Sequence, residues 1–354
     1  MNVIAKKPFQ PDYTNIVKVL HNERPACLPL YEHHIDSPFI SRALGRELLL
    51  PADAPGLRDY FGTIINFWKN NTYDAFDYEA PVCSIFPDHG AIMGGRKGPI
   101  QNRADFEAFP WEEIPALFKR TYAPQLDAIR DVLPAGMKAY GGCGYGIFEA
   151  SEDLVGYEPL CLLTCDEPEL VGDLYAKIGD LYVRLWTWML EHYGDLFVFC
   201  RMGDDLGFAS SMLLPPEVVR THIIPQHKRI VDLVHSHGKK FLLHSCGHIF
   251  PVMEDFINTV GIDAKHSNED KIAPYDEWIA KYGSRIGLFG GIDMNHLILQ
   301  KPDEVFEFVV QEGTRFRKAA KGYGLGSGNS IPDYVPVENF YAMIEAAKHI
   351  RASE

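Results

Sequence analysis

The chain has 354 residues, 46% hydrophobic and 23% charged, with a net charge of −14. This is the composition of an ordinary globular protein with a large core, and the acidic balance argues against nucleic acid or an anionic membrane as a partner. No apolar run reaches the ~18 residues of a membrane helix and Met1–Pro8 has no signal-type apolar core, so the cytoplasm is the expected compartment.

One domain over 1–354 is expected, opened by a helical extension over 1–25. The first strand is read at Cys27–Tyr31, and the region from about Pro38 to Pro134 is too long for one or two repeats, so it should carry extra helices and loops. Phe76–Val82 is a further strand candidate and Met137–Gly141 another. From Leu196 onward strands and helices alternate clearly. Leu196–Cys200 is a short apolar run, and Pro215-Pro216 opens an amphipathic segment to about His237, with Gly238 suited to a C-cap. The strand Phe241–Leu243 precedes a helix near Ile249–Thr259. Ile262–His266, a helix over Tyr275–Tyr282 and the strand Ile286–Phe289 follow. A helix over Pro302–Lys318 leads to Gly322–Gly326, and the last helix runs from about Val337 to Ile350. Short, continuously apolar strands between helices indicate a parallel sheet covered on both faces. With about eight strands, the expected fold is α/β, a distorted (β/α)8 barrel of the TIM type with an insertion in its first third. The glycine-rich runs Gly141–Gly146 and Gly322–Gly328 lack the spacing of a dinucleotide fingerprint and the Lys-Ser/Thr of a P-loop.

Seven scattered cysteines fit reduced thiols better than a disulfide framework. Cys161 and Cys165 share a helical spacing and are read as packing residues. Cys246 differs, because His244-Ser245-Cys246-Gly247 ends a predicted strand. Residues two apart on a strand point the same way, with Cα atoms roughly 6–7 Å apart, a gap that one zinc ion can close.

Barrel chemistry gathers at strand C-termini. There the sequence places Glu32, His33, His34 and Asp36; Asp204 and Asp205; His244 and Cys246; His266 and Asn268; Asp293; and Asn329. Asp204, Asp205 and Glu32 are the candidate catalytic groups. His34, Tyr145, Phe208, His266, Asn268 and Asn329 are the candidate substrate contacts, and His244 and Cys246 the metal ligands. Duller roles compete: Asp204 or Asp205 can cap the following helix, Asp293 can cap the one holding His296, and His235 and His237 suit a helix C-terminus.

In Gly203–Gly207, His244–Gly247, Gly290–Asp293, Asn329–Pro332 and Val335–Asn339, taken in that order, the chain resembles the uroporphyrinogen decarboxylase superfamily over nearly its whole length. The resemblance implies the distorted barrel. True decarboxylases of that group grip a polycarboxylate with arginines after the first strand, whereas this chain has Glu32 and Asp36, which repel polyacids. The corrinoid-dependent methyltransferase branch is the nearer match. There zinc is held by His-x-Cys and a later cysteine, so His244 and Cys246 correspond to two ligands, and Asn329 stands where the third would fall. Glu32, Asp205, His266 or Asp293 is then the substitute. The resemblance implies methyl transfer between a small methylated substrate, with a methoxylated aromatic as one candidate, and a corrinoid. The chain has no Asp-x-His-x-x-Gly segment, so the corrinoid is expected on a separate partner protein. Related barrels are often homodimers. A metal-free decarboxylase-like lyase acting on a small carboxylate, and a non-catalytic binding barrel, are the alternative readings.

Overall fold

A computed structural model describes residues 9–94 and 96–354; the first eight residues of the expected 1–25 extension lie outside them. Seven parallel strands run in the order β1 to β7: Ala75–Pro81, Lys138–Gly144, Phe197–Gly203, Phe241–His244, Ala264–His266, Gly287–Ile292 and Tyr323–Ser327. Helices carry the crossovers. Pro168–Tyr193 places Leu170, Leu174, Ile178, Leu181, Leu185 and Met189 on one buried stripe at steps of three and four, the period of a helix face. Pro302–Ala319 starts with proline at its first position, where no backbone donor is lost, and with Glu304 accepting from the Lys301 N–H at 2.9 Å. β4 is buried along its whole length, as a strand with side chains in the barrel and under the helices must be.

Eight strands were expected, and the first is reduced to a bridged segment. Tyr31 N–H donates to Leu325 O at 2.9 Å and Ile331 N–H to His34 O at 2.8 Å, with isolated parallel bridges at Leu30–Leu325 and Ile35–Ile331. Pro25 and Pro29 remove donors just where a regular ladder would start. Toward β1 the segment is tied by side chains: Tyr73 Oη donates to Glu32 at 3.1 Å, and His34 Nδ1 lies 2.6 Å from Asp77 Oδ2. A Cβ at Gly326 would stand 1.7 Å from Tyr31 O, so this close approach requires glycine there.

The expected insertion supplies the helices Ser37–Leu44, Ala54–Asn70, Arg103–Ala108 and Ile114–Val132, with β1 among them. β3 runs past its expected end at Cys200 to Gly203, which brings Arg201 inside the strand. Tyr31, Tyr140, Phe199 and Phe289 fill the barrel below the strand ends, with Tyr140 and Phe199 stacked at 5.0 Å. This apolar plug is the floor on which the polar layer rests.

Candidate active site

Three imidazoles and one guanidinium lie directly above the plug. Arg201 is fully buried. It donates to Asp77 Oδ1 at 2.7 Å, to His33 O at 2.6 Å, to the His33 ring and to Glu79. Such a cation is tolerable only because two carboxylates offset its desolvation. The His33 ring stacks on His244 at 3.5 Å, and both imidazoles are held well below the ordinary histidine pKa, first by burial and then by neighbouring positive charge.

The hydrogen bonds settle the tautomers by elimination. His266 Nε2 is 2.9 Å from Ser327 O, which can only accept, so His266 carries its proton on Nε2. Burial keeps His266 neutral, with a pKa lowered to about 3, and its Nδ1 is therefore an acceptor. His244 Nδ1 lies 2.7 Å from that atom and must donate. The Nε2 of His244 is left with a free lone pair facing Cys246 and Asp205.

These three residues form a set with metal-binding geometry. His244 Nε2 is 3.4 Å from Cys246 Sγ and 3.6 Å from Asp205 Oδ1. With Zn–N near 2.0 Å and Zn–S near 2.3 Å, a tetrahedral ion needs ligand–ligand edges of about 3.3–3.6 Å. The donor set therefore fits zinc, with a fourth position open. Ser267 Oγ and the Asn329 amide lie 3.6 and 3.4 Å from Cys246 Sγ and donate to it, while Asp205 Oδ1 accepts from Cys246 N–H at 2.8 Å. Burial followed by the Asp205 charge pushes the Cys246 thiol well up, and burial raises Asp205 too. The second group of possible ligands, His33, His244 and His266, is spent internally, since Arg201 takes His33 and the other two rings share a proton.

Of the four candidates for a third ligand, only Asp205 is free to serve. Glu32 is buried against Ser327 and Tyr73, His266 is committed behind His244, and Asp293 caps the helix Met294–Leu299 through Asn295 N–H at 2.7 Å while accepting from Asp270 N–H.

Five sequence expectations need correction, the first being His266, which was expected at the substrate and is fully buried behind His244 with its Nε2 on Ser327 O. Asp204 is fully buried. It accepts from Phe148 and Glu149 N–H at 3.0 and 3.1 Å and from His227 Nε2 at 2.6 Å, so it caps the helix Ile147–Val155 that follows the adjacent β2 instead of the one that follows β3. No oxygen remains for a substrate. Glu32 is a core group for the same reason. Asn268 ties β5 to β6 by accepting from Gly291 N–H at 2.8 Å, and Phe208 points outward at 65% exposure. Tyr145 and Asn329 do line the mouth, a cavity of about 200 Å³, together with His33, Glu79 and Glu149. His34 faces a neighbouring recess.

Sequence reasoning passed over Glu79, Glu149, Ser267, Arg201 and Lys265. Ser267 directly follows β5, between His266 and Asn268, and had a readable signal. Glu79, Glu149, Arg201 and Lys265 stand inside elements, where one residue's facing decides its role. Lys265 Nζ donates to Ser245 O at 3.1 Å and Ser267 O at 2.6 Å, bracing the loop under Cys246, and burial lowers its pKa to about 7.

Fold and mouth together define a (β/α)8-type barrel whose strand ends present a carboxylate, an imidazole and a thiol in metal-ready geometry. The chain belongs to the uroporphyrinogen decarboxylase (URO-D) family, whose model matches residues 97–350. Among solved structures it is similar to a methyltransferase from Methanosarcina mazei (16% identity, 95% of this chain and 98% of that one covered, TM-score 0.71). It is more distantly similar to the β-glycosidase of Thermosphaera aggregans (10% identity, 84% and 86% covered, TM-score 0.47). No functionally curated sequence matches it. Among the described residues no helix is long and apolar enough to cross a membrane.

Proposed function

We propose that this chain is a zinc-dependent methyltransferase that exchanges a methyl group between a small methylated substrate and a corrinoid carried by a separate protein. The observation that carries the reading is the free Nε2 lone pair of His244 held 3.4–3.6 Å from Cys246 Sγ and Asp205 Oδ1. His244, Cys246 and Asp205 would hold the ion, which when bound supplies Lewis acidity toward a substrate oxygen or thiol. Family membership and the structural likeness to a methyltransferase support the class of reaction.

The chain's own residues have definable tasks. His266 and the Ser327 carbonyl keep the His244 lone pair aimed at the mouth. Ser267 and Asn329 donate to the Cys246 sulfur and favour its thiolate form. Burial and then the Arg201 charge hold His33 neutral, which leaves that ring a wall and hydrogen-bonding group of the mouth instead of a competing cation. The methylated group enters over Asn329 and Tyr145, and the partner's corrinoid must approach from the open face above them, since the aromatic plug closes the barrel from below. A free thiol at the centre suits a reducing compartment, in keeping with the cytoplasm.

The test is metal analysis of tag-free protein followed by methyl transfer with a corrinoid partner. About one zinc per chain is expected, lost in Cys246→Ser and Asp205→Ala, with turnover abolished in both. Zinc far below one per chain and unchanged by either substitution would sink the proposal.

A further inference from the structure

Besides Asp205, two carboxyl groups line the mouth, and their surroundings differ. Glu79, in β1, is bound by Arg201, and its Oε1 accepts from Tyr145 N–H at 3.2 Å. Glu149 stands in the first turn of the helix Ile147–Val155 and accepts one hydrogen bond, from Gly146 N–H to Oε2 at 2.9 Å. The amides that would favour an anion at this helix start are spent on Asp204, which accepts from Phe148 and Glu149 N–H. The charged groups around Glu149 are carboxylates: Glu79 from β1, Asp204 and Asp205 just after β3, and Glu152 three residues on along its own helix. The nearby cations are already paired, Arg201 with Asp77 and Glu79, and His227 with Asp204. No lysine or arginine lines the mouth. Burial, followed by Asp205 and then Asp204, pushes the Glu149 carboxyl well up, and the leading cause is independent of any ion at Asp205. Two carboxyl groups of unlike surroundings in one cavity are how a site keeps one of them as an acid at neutral pH.

Resting on the methyl-transfer reading above, we propose that Glu149 is a catalytic residue, the acid that gives a proton to the oxygen from which the methyl group departs. The C–O bond breaks, and the methyl group passes to the cobalt of the partner's reduced corrinoid, whose electron pair forms the new Co–C bond. Cobalt is thereby oxidised by two electrons. The oxygen keeps the C–O pair and takes the Glu149 proton, so a neutral hydroxyl compound leaves, and Glu149 regains a proton from water in the mouth. A cavity of about 200 Å³ is small enough for Glu149 to reach a bound oxygen directly or through one water. Glu79, held by Arg201, is left as the fixed negative wall opposite.

One arm of the test needs no turnover. At neutral pH the infrared difference between wild type and Glu149→Gln should show the C=O stretch of one protonated carboxyl, since Glu32 and Glu152 cancel. Glutamine keeps an acceptor for Gly146 N–H and so spares the helix start. With free cob(I)alamin as acceptor and anisole as the probe donor, Glu149→Gln should lower kcat about 10²–10⁴-fold, with KM and zinc content unchanged. The loss should be at least about tenfold smaller with 4-nitroanisole, whose departing oxygen needs little help from a proton, whereas a structural role would slow both donors equally. Glu152→Gln should leave kcat unchanged. A missing carboxyl band overturns the inference, as does an unchanged kcat or an equal loss on both donors. Methyl transfer by a wild type without the band sinks only this inference. A zinc-loaded wild type that shows the band and moves no methyl group sinks the function proposed above, and this role with it.

Discussion

The proton of His244 sits on Nδ1 because the next imidazole in line, His266, has already given its own N–H to the Ser327 carbonyl. That chain of two bonds converts an ambiguous histidine into one with a defined lone pair. His266→Phe should therefore leave the fold intact and weaken zinc affinity about 10–100-fold, read by chelator competition, while His266→Gln, which keeps an acceptor, should recover part of the loss. At this scale the strand-end rule placed His244, Cys246 and Asp205 correctly on one rim. It did not separate Asp205 from Asp204. Successive residues at a strand end point in opposite directions, and only packing shows which one faces water.

Elements decide what those aspartates do. Asp204 joins three of them: it leaves β3, caps the helix Ile147–Val155 and binds His227 on the helix Ile224–Ser236. Asp204→Ala should cost about 3–5 kcal/mol in urea denaturation, since it strands a buried imidazole and two amides. Asp205→Ala should cost only about 1 kcal/mol, because its side chain is 40% exposed and gives up one backbone hydrogen bond, yet should lose the metal. The two loops carrying Asp205 and Cys246 also touch backbone to backbone. A Cβ on Gly247, whose φ is +82°, would lie 2.0 Å from Gly207, which explains a glycine in each loop. Both glycines were visible in the sequence, but their contact is not, since forty residues and a whole helix separate them.

For the molecule as a whole, buried carboxylates make stability depend on pH. Burial raises Glu32 and Glu152 to about 8, so the folded chain keeps protons that the unfolded chain releases near 4.5. Their stabilising contribution is complete below the unfolded value and is lost as pH rises toward 8. The lowered imidazoles titrate below about pH 6.5 with the opposite sign, and Lys265, lowered to about 7, opposes the two carboxylates above that. Thermal stability should thus fall between about pH 6.5 and 8, and Glu32→Gln, uncharged at both ends, should flatten the slope. An unchanged slope in that variant would show that Glu32 is ionised in the folded state.

Periodicity and strand-end composition were enough to establish the alternating α/β order, the parallel sheet, the barrel and the His244–Cys246 pair. These are local properties: a two-residue repeat, a helical stripe and a turn residue act over a few positions. The reduction of the first strand to bridges was half legible, through Pro25 and Pro29. The place of Asp205 beside His244 and Cys246, the tautomer chain through His266 and Ser327, and the buried Arg201 were decided by the tertiary structure alone. Each depends on side chains from distant strands meeting in a desolvated space, where burial and a neighbour's hydrogen bond fix charge and proton position. His244-Ser245-Cys246 brings an imidazole and a thiol to one strand end in the sequence, and closure of the barrel brings Asp205 within 3.6 Å of that imidazole.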